Sequence, residues 1–239
     1  MKQYGLIGRP LGHSASARYF NHKFDELSID ARYMLYELKS IEQVEPLRSK
    51  LAGFNVTIPY KKAILPYLAT ISDEAAAVGA VNCVKIDAEG NMHGYNTDVA
   101  GIRKSLECYD LANQKALLLG TGGAAAAVYY VLQQLGMEVV MVSRTKSDQT
   151  ICYQDIDEQL IVSCRLIVNA TPVGMHPLTD EYPQLPYNAI TDKHILFDLI
   201  YNPSQTAFLI KGAKQGAITI SGSEMFRCQA EASWEIWNG

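Results

Sequence analysis

The chain reads as an α/β protein in two parts, a small N-terminal α/β domain and a doubly wound, Rossmann-type domain, closed by a C-terminal helix. Three observations predict this. Strand-like and helix-like runs alternate as β-α-β-α-β-(α)-β-β through the first hundred residues. A strand, a glycine turn, a helix and a strand then follow one another over residues 115–143, which is a βαβ unit with parallel pairing and a right-handed crossover. Further apolar strands, near 166–169 and 194–199, extend that second half. The expected boundaries are 1–98, completed by the helix 223–239, for the first domain and 99–222 for the second.

In the first part, residues 4–8 form a short strand that stops at Gly8, and Gly8-Arg9-Pro10-Leu11-Gly12 is a turn. Ser14-Ala15-Ser16 opens a helix, with Ser14 as its N-cap; Ala17, Phe20, Phe24 and Leu27 follow at helical spacing. Residues 31–38 are a second strand, 41–51 a second helix and 53–58 a third strand. Two short helices, 63–68 and 74–77, precede a hairpin of 80–86 and 92–95 turned at Asp87-Ala88-Glu89-Gly90.

In the second part, 98–108 is a connecting helix, 115–119 an apolar strand, 124–135 a helix and 138–143 a strand. The polar stretch before the strand at 166 leaves room for a short crossover helix at most. A helix over 205–215, a strand over 217–220 and a closing helix over 224–237 complete the chain.

Composition removes several function classes. The 239 residues are 48% apolar and 19% charged, with a net charge of −4, so no bulk basic field draws nucleic acid. No apolar run reaches the roughly 20 residues that a membrane span needs, and the first residues lack the apolar core of a signal peptide. Cys83, Cys108, Cys152, Cys164 and Cys228 are scattered without a CxxC or a nearby histidine pair. That pattern argues for free thiols in a reducing cytoplasm, with no metal site.

Gly120-x-Gly122-x-x-Ala125 fits a dinucleotide fingerprint. The first glycine allows the tight turn, the second a close approach of pyrophosphate, and the small third residue close helix–strand packing. Its place after Ala116-Leu117-Leu118-Leu119 and before an alanine-rich helix is the context such a motif needs. At the end of the next strand stand Ser143-Arg144-Thr145-Lys146, where an NAD enzyme usually carries an acid. A guanidinium, hydroxyls and an ammonium suit a 2′-phosphate, so NADP is the expected cofactor.

The first part ends its strands in polar residues: Ser14 and Ser16; Asn55, Thr57 and Lys61; Asn82; and Asn96-Thr97-Asp98. Each alone reads as a cap, a turn or a surface residue. Together they offer hydroxyls, amides, one lysine and one aspartate, an inventory suited to a small polyhydroxylated acid beside a nicotinamide.

Gly12-His13-Ser14-Ala15-Ser16, Asn55-Val56-Thr57-Ile58-Pro59-Tyr60-Lys61, Gly79-Ala80-Val81-Asn82, Asn96-Thr97-Asp98, Gly120-Thr121-Gly122-Gly123-Ala124 and Asn169-Ala170-Thr171 occur in one order along nearly the whole chain. In these motifs the chain resembles the shikimate dehydrogenase family. The resemblance implies reversible NADPH-dependent reduction of 3-dehydroshikimate to shikimate, in aromatic amino acid and chorismate biosynthesis, by a monomer or homodimer. It also implies that the first part is the substrate domain and that the C-terminal helix returns to it. It assigns Lys61 and Asp98 as the catalytic pair and Ser14 and Ser16 to the substrate carboxylate. Asn55 or Thr57, Asn82, Asp98 and Gln229 match groups on the ring hydroxyls, and Tyr201 a residue closing over the substrate. Gly120, Thr121, Gly122, Gly123, Ala124, Ser143, Arg144, Thr145, Lys146, Thr171 and Met225 match the cofactor side.

The chain departs from that family at four points. Ala124-Ala125-Ala126-Ala127 carries no basic residue after the glycine loop, and Asp148 replaces a basic residue after the Arg-Thr pair. Gly222-Ser223-Glu224-Met225 places a glutamate in the family's Gly-x-Gly-Met region. The chain is also short, with a reduced crossover after Ser143. Two other readings fit the same residues: a quinate/shikimate dehydrogenase using NAD, and a dinucleotide-binding sensor without chemistry.

Overall fold

A computed structural model describes residues 1–12 and 14–239. His13, in the Gly12–Ser16 motif, lies outside the described residues. Two compact units emerge, Met1–Thr97 with Gln229–Gly239, and Asp98–Cys228. The boundaries fall at Thr97/Asp98 and inside the last helix, rather than after residues 98 and 222.

The first unit holds β1 (Lys2–Gly8), α1 (Ser16–Glu26), β2 (Ala31–Glu37), β3 (Gly53–Val56), β4 (Thr70–Ile71), α2 (Asp73–Val78), β5 (Cys83–Ile86) and β6 (Met92–Tyr95). The strands form one sheet in the order β2-β1-β3-β5-β6-β4, parallel at β2-β1-β3 and antiparallel through the β3-β5-β6 meander. Both faces are covered. Ile7, Val44, Phe54, Val56, Ile64 and Met92 fill one side, and Tyr4, Phe20, Phe24, Tyr33 and Trp237 fill the other. Trp237 donates its indole N–H to the Val84 carbonyl at 3.0 Å. It packs so closely on Gly53 that a β-carbon there would lie 2.5 Å from the indole. The chain's last turns are therefore part of this unit's core.

Several expected helices are tighter or shorter. The segment expected over 41–51 is a 3-10 helix, Ile41–Leu47, with Pro46 inside it; proline has no N–H for an i→i−4 bond. The one expected over 63–68 shrinks to Leu65–Tyr67, around Pro66. β3 stops at Val56 because the chain turns at Thr57, whose carbonyl accepts the Tyr60 N–H at 2.9 Å. α1 ends at Glu26, and Leu27 is exposed.

The second unit holds α3 (Asp98–Leu106), β7 (Lys115–Leu119), α4 (Gly123–Gln134), β8 (Glu138–Ser143), β9 (Ile151–Cys152), α5 (Glu158–Ser163), β10 (Cys164–Asn169), β11 (Ile195–Asp198), α6 (Ala207–Lys214), β12 (Ile218–Ile220) and the start of α7 (Gly222–Asn238). Its sheet is parallel throughout, in the order β12-β11-β10-β7-β8-β9. Strand order reverses beside β7, so the loops after β7 and β10 meet at the topological switch point, where doubly wound sheets bind ligands. The crossover after Ser143 is short, as expected: a two-residue strand and a six-residue helix. Leu117, Leu119, Ile167, Leu196 and Phe208 form part of the core.

Candidate active site

In the first unit, a row of hydrogen bonds runs through the polar residues. The Tyr33 hydroxyl donates to Asn55 Oδ1 at 2.9 Å. Asn55 Nδ2 donates to Ser233 Oγ at 2.8 Å and to the Asn82 carbonyl at 3.2 Å. Ser233 Oγ meets Thr97 Oγ1 at 3.1 Å, and Asn82 Nδ2 donates to Thr97 Oγ1 at 3.0 Å. Every member is buried. Asn55 thus uses three of its four hydrogen-bonding positions on the fold. Of the pair expected to meet substrate, Thr57 is the half-buried member and Asn55 the internal one.

Sequence reading missed Ser233. The signal was present: Ser233 stands four residues after Gln229 on α7, and its hydroxyl donates to the Gln229 carbonyl at 2.9 Å. Gln229 is half-buried on the preceding turn.

Ser14 and Ser16 come together, although not by the expected cap. Ala15 occupies the N-cap position of α1, in helical conformation and without a side-chain bond. Ser14 Oγ instead accepts the Ser16 N–H at 3.2 Å. Lys61 lies in the turn after β3, half-buried. Its carbonyl accepts the Val81 N–H at 2.8 Å, which fastens its backbone beside the residue preceding Asn82. Asn96 Nδ2 secures the same loop through the Ala80 carbonyl at 2.8 Å.

In the second unit, Asp98 is the first residue of α3 and is 4% exposed. Farther along α3, Gly101 lies against Met225; a β-carbon on Gly101 would come within 2.5 Å of the Met225 carbonyl oxygen. Tyr201 packs its ring on Phe226, with centroids 4.5 Å apart. Glu224 is exposed and pairs with Arg227 at 3.5 Å.

The glycine loop follows β7. Gly120 has φ +111°, a region that favours glycine. A β-carbon there would also meet the Ala170 carbonyl oxygen at 3.1 Å and Thr171 Cγ2 at 3.2 Å. Gly122 is different. Its φ of −76° suits any residue, and a β-carbon on it would meet nothing within 4 Å. Glycine there leaves open the ground in front of the α4 N-terminus, whose N-cap provides no side-chain acceptor. A helix start with unsatisfied N–H groups and no shielding side chain suits a pyrophosphate. Ala125 is fully buried, as close helix–strand packing requires.

At the end of β8, Ser143 is half-buried and Arg144, Thr145 and Lys146 are exposed. Ser143 Oγ accepts the Thr145 N–H at 3.3 Å. Lys146 pairs with Asp155 at 3.4 Å. Asp148 is exposed in a tight turn closed by the Ser147–Thr150 bridge.

A parallel sheet with a glycine loop at its switch point, joined in one chain to a small α/β unit, marks a dinucleotide-binding protein. The model of the shikimate dehydrogenase substrate binding domain matches residues 6–84. A shikimate dehydrogenase (NADP(+)) of Methanococcus maripaludis is 36% identical, over 100% of this chain and 92% of its own length. The crystal structure of shikimate dehydrogenase from Aquifex aeolicus superposes with TM-score 0.90 at 34% identity, covering 100% of this chain and 93% of that one. The shikimate 5-dehydrogenase of Thermus thermophilus, solved with NADP(H) and shikimate, gives TM-score 0.87 at 29% identity, covering 100% of this chain and 94% of that one. The chain belongs to the shikimate dehydrogenase family.

Proposed function

We propose that this protein catalyses the reversible NADPH-dependent reduction of 3-dehydroshikimate to shikimate, with Lys61 and Asp98 as its acid/base pair. The observation that carries the reading is a match to an NADP(+) shikimate dehydrogenase along the whole of this chain, in which Lys61 and Asp98 end the Asn55–Lys61 and Asn96-Thr97-Asp98 motifs that carry the resemblance. The first unit serves as the substrate domain and the second as the NADP domain.

When bound, NADPH would supply a hydride to the ring carbonyl carbon. Negative charge then builds on the carbonyl oxygen, and Lys61 donates a proton to it from Nζ. Asp98 is the anionic member of the pair and holds a ring hydroxyl. In the oxidation direction the Lys61 amine takes the proton back. Ser14 and Ser16 hold the substrate carboxylate, while Thr57, Asn82 and Gln229 hold ring hydroxyls. Asn55 acts one step back, by fixing Ser233 and the Asn82 carbonyl.

The residues present fit NADP. Gly120, Thr121, Gly122, Gly123 and Ala124, at the start of α4, hold the pyrophosphate, and Arg144 and Thr145 the 2′-phosphate. Thr171 and Met225 border the nicotinamide end, and Tyr201 closes over the substrate. The five cysteines, which form no disulfide, suit a cytoplasmic enzyme.

Initial rates of shikimate and quinate oxidation with NADP and with NAD test this. The expected order places shikimate with NADP highest in kcat/KM. A preference for NAD or quinate would assign the rival dehydrogenase activity. No NADP-dependent shikimate oxidation at saturating substrate would leave a sensor.

A further inference from the structure

Asp198 ends β11 and is completely buried. It accepts three hydrogen bonds: from Thr206 Oγ1 at 2.6 Å to Oδ2, and from Asn169 Nδ2 and the Ile200 N–H, each at 3.1 Å, to Oδ1. Among the described residues no cationic side chain pairs with it. A carboxylate in such a place is costly unless its donors are arranged for it.

Its partners lead to the candidate cofactor site by two routes within the second unit. Asn169 faces Asp198 across the β10–β11 ladder. Asn169 Nδ2 also reaches the Val173 carbonyl at 3.1 Å, while Asn169 Oδ1 accepts the Thr171 hydroxyl at 2.6 Å and the Thr171 N–H at 3.1 Å. Thr171 in turn lies against Gly120. By the second route, Ile200 gives its N–H to Asp198 and its carbonyl to the Gly222 N–H at 3.1 Å. Gly222 opens α7, which carries Met225, and Tyr201 follows Ile200.

We propose that Asp198 is a positioning residue for cofactor binding: through Asn169 it sets the Thr171 turn against the glycine loop, and through Ile200 it sets the start of α7, which carries Met225. The proposal rests on the reading of Thr171 and Met225 as the nicotinamide border. Asp198 touches neither substrate nor cofactor; it holds the groups that do, as supporting shells do in precise sites.

The test compares Asp198→Ala, Asp198→Asn and Thr171→Val with the unaltered protein by melting temperature, NADP dissociation constant from calorimetry, and steady-state kinetics. Asp198→Ala frees three donors at once, and the expected result is an NADP dissociation constant raised about tenfold or more, with the shikimate KM moved less than about threefold. Asp198→Asn keeps an oxygen for Asn169 and Ile200 and lets Thr206 turn its hydroxyl round. It should restore NADP binding to within about threefold of the unaltered protein. Thr171→Val, at a half-buried site, should fold even if Asp198→Ala does not, and should weaken NADP binding about tenfold. Unchanged NADP affinity in folded Asp198→Ala or in Thr171→Val overturns the proposal. Equal losses in Asp198→Ala and Asp198→Asn, matched by melting temperature alone, also overturn it. An unaltered protein that binds no NADP would instead sink the dehydrogenase reading itself.

Discussion

Asn82 Oδ1 accepts both the backbone N–H and the hydroxyl of Thr97, at 2.6 and 3.2 Å. This latch closes the end of β6 onto the residue that leads into β5, and Thr97 is the last residue before Asp98. Asn82 therefore has a structural load as well as a place at the candidate substrate site. Asn82→Ala should leave the Thr97 N–H buried without an acceptor, at a cost of about 1–3 kcal/mol. For a chain of this size that is a fall of about 2–12 °C in melting temperature. The shikimate KM should rise as well. A variant with both quantities unchanged would remove Asn82 from both roles.

Lys61 should separate chemistry from binding. Its side chain is half-buried in a turn, and its carbonyl accepts the Val81 N–H. Lys61→Ala keeps that bond. The shikimate KM should move little, and kcat should fall about 10²–10⁴-fold. Near-normal turnover would exclude Lys61 as the proton donor.

The exposed residues after β8 should contribute unequally to the NADP preference. Arg144 is exposed, and its planar fork suits a 2′-phosphate. Lys146 is engaged by Asp155, whose other role is to accept the Cys152 N–H at 2.9 Å. Arg144→Ala should raise the KM for NADP about tenfold or more and leave that for NAD nearly unchanged. Lys146→Ala should change either by less than about threefold. A larger loss from Lys146→Ala than from Arg144→Ala would reverse the assignment.

The strong periodic signals were legible in the sequence. Lys115-Ala116-Leu117-Leu118-Leu119, the glycine turn and the alanine-rich run specify strand, loop and helix locally, and β7, α4 and β8 lie where expected. Short elements were not. β4 has two residues and no pattern of its own; it exists because β6 offers it an edge. Pro46 and Pro66 were visible, but their effect was to tighten helices to 3-10 form. The internal role of Asn55 could not be read from Asn55 alone, since its partners Tyr33 and Ser233 lie far along the chain in each direction. Asp198 was hidden for the same reason. Its meaning comes from the register that sets Asn169 opposite it, and register is a property of two strands.

The buried carboxylate also gives a pH signature. Burial pushes Asp198 up to about 6, although Thr206, Ile200 and Asn169 all pull it down. Its folded pKa thus lies above its unfolded one, and the folded state holds the proton more tightly. Its contribution to stability is therefore complete below the ordinary carboxylate range near 3.8 and is lost as pH rises through about 6. Other groups oppose this: Asp87, bonded to His93 and Asn91, is shifted downward, so its contribution grows with pH. Asp198→Asn removes one titration and leaves the rest in place. Tyr187, the titratable neighbour that feels the Asp198 charge, is itself pushed upward by burial and stays neutral across this range. The stability of Asp198→Asn relative to the unaltered protein should therefore increase between pH 4 and pH 7.5, by up to about 3 kcal/mol. Urea unfolding of both proteins at several pH values measures the difference directly. A difference that is flat with pH would mean that Asp198 stays ionised in the fold at its ordinary cost, with its three donors fully offsetting burial.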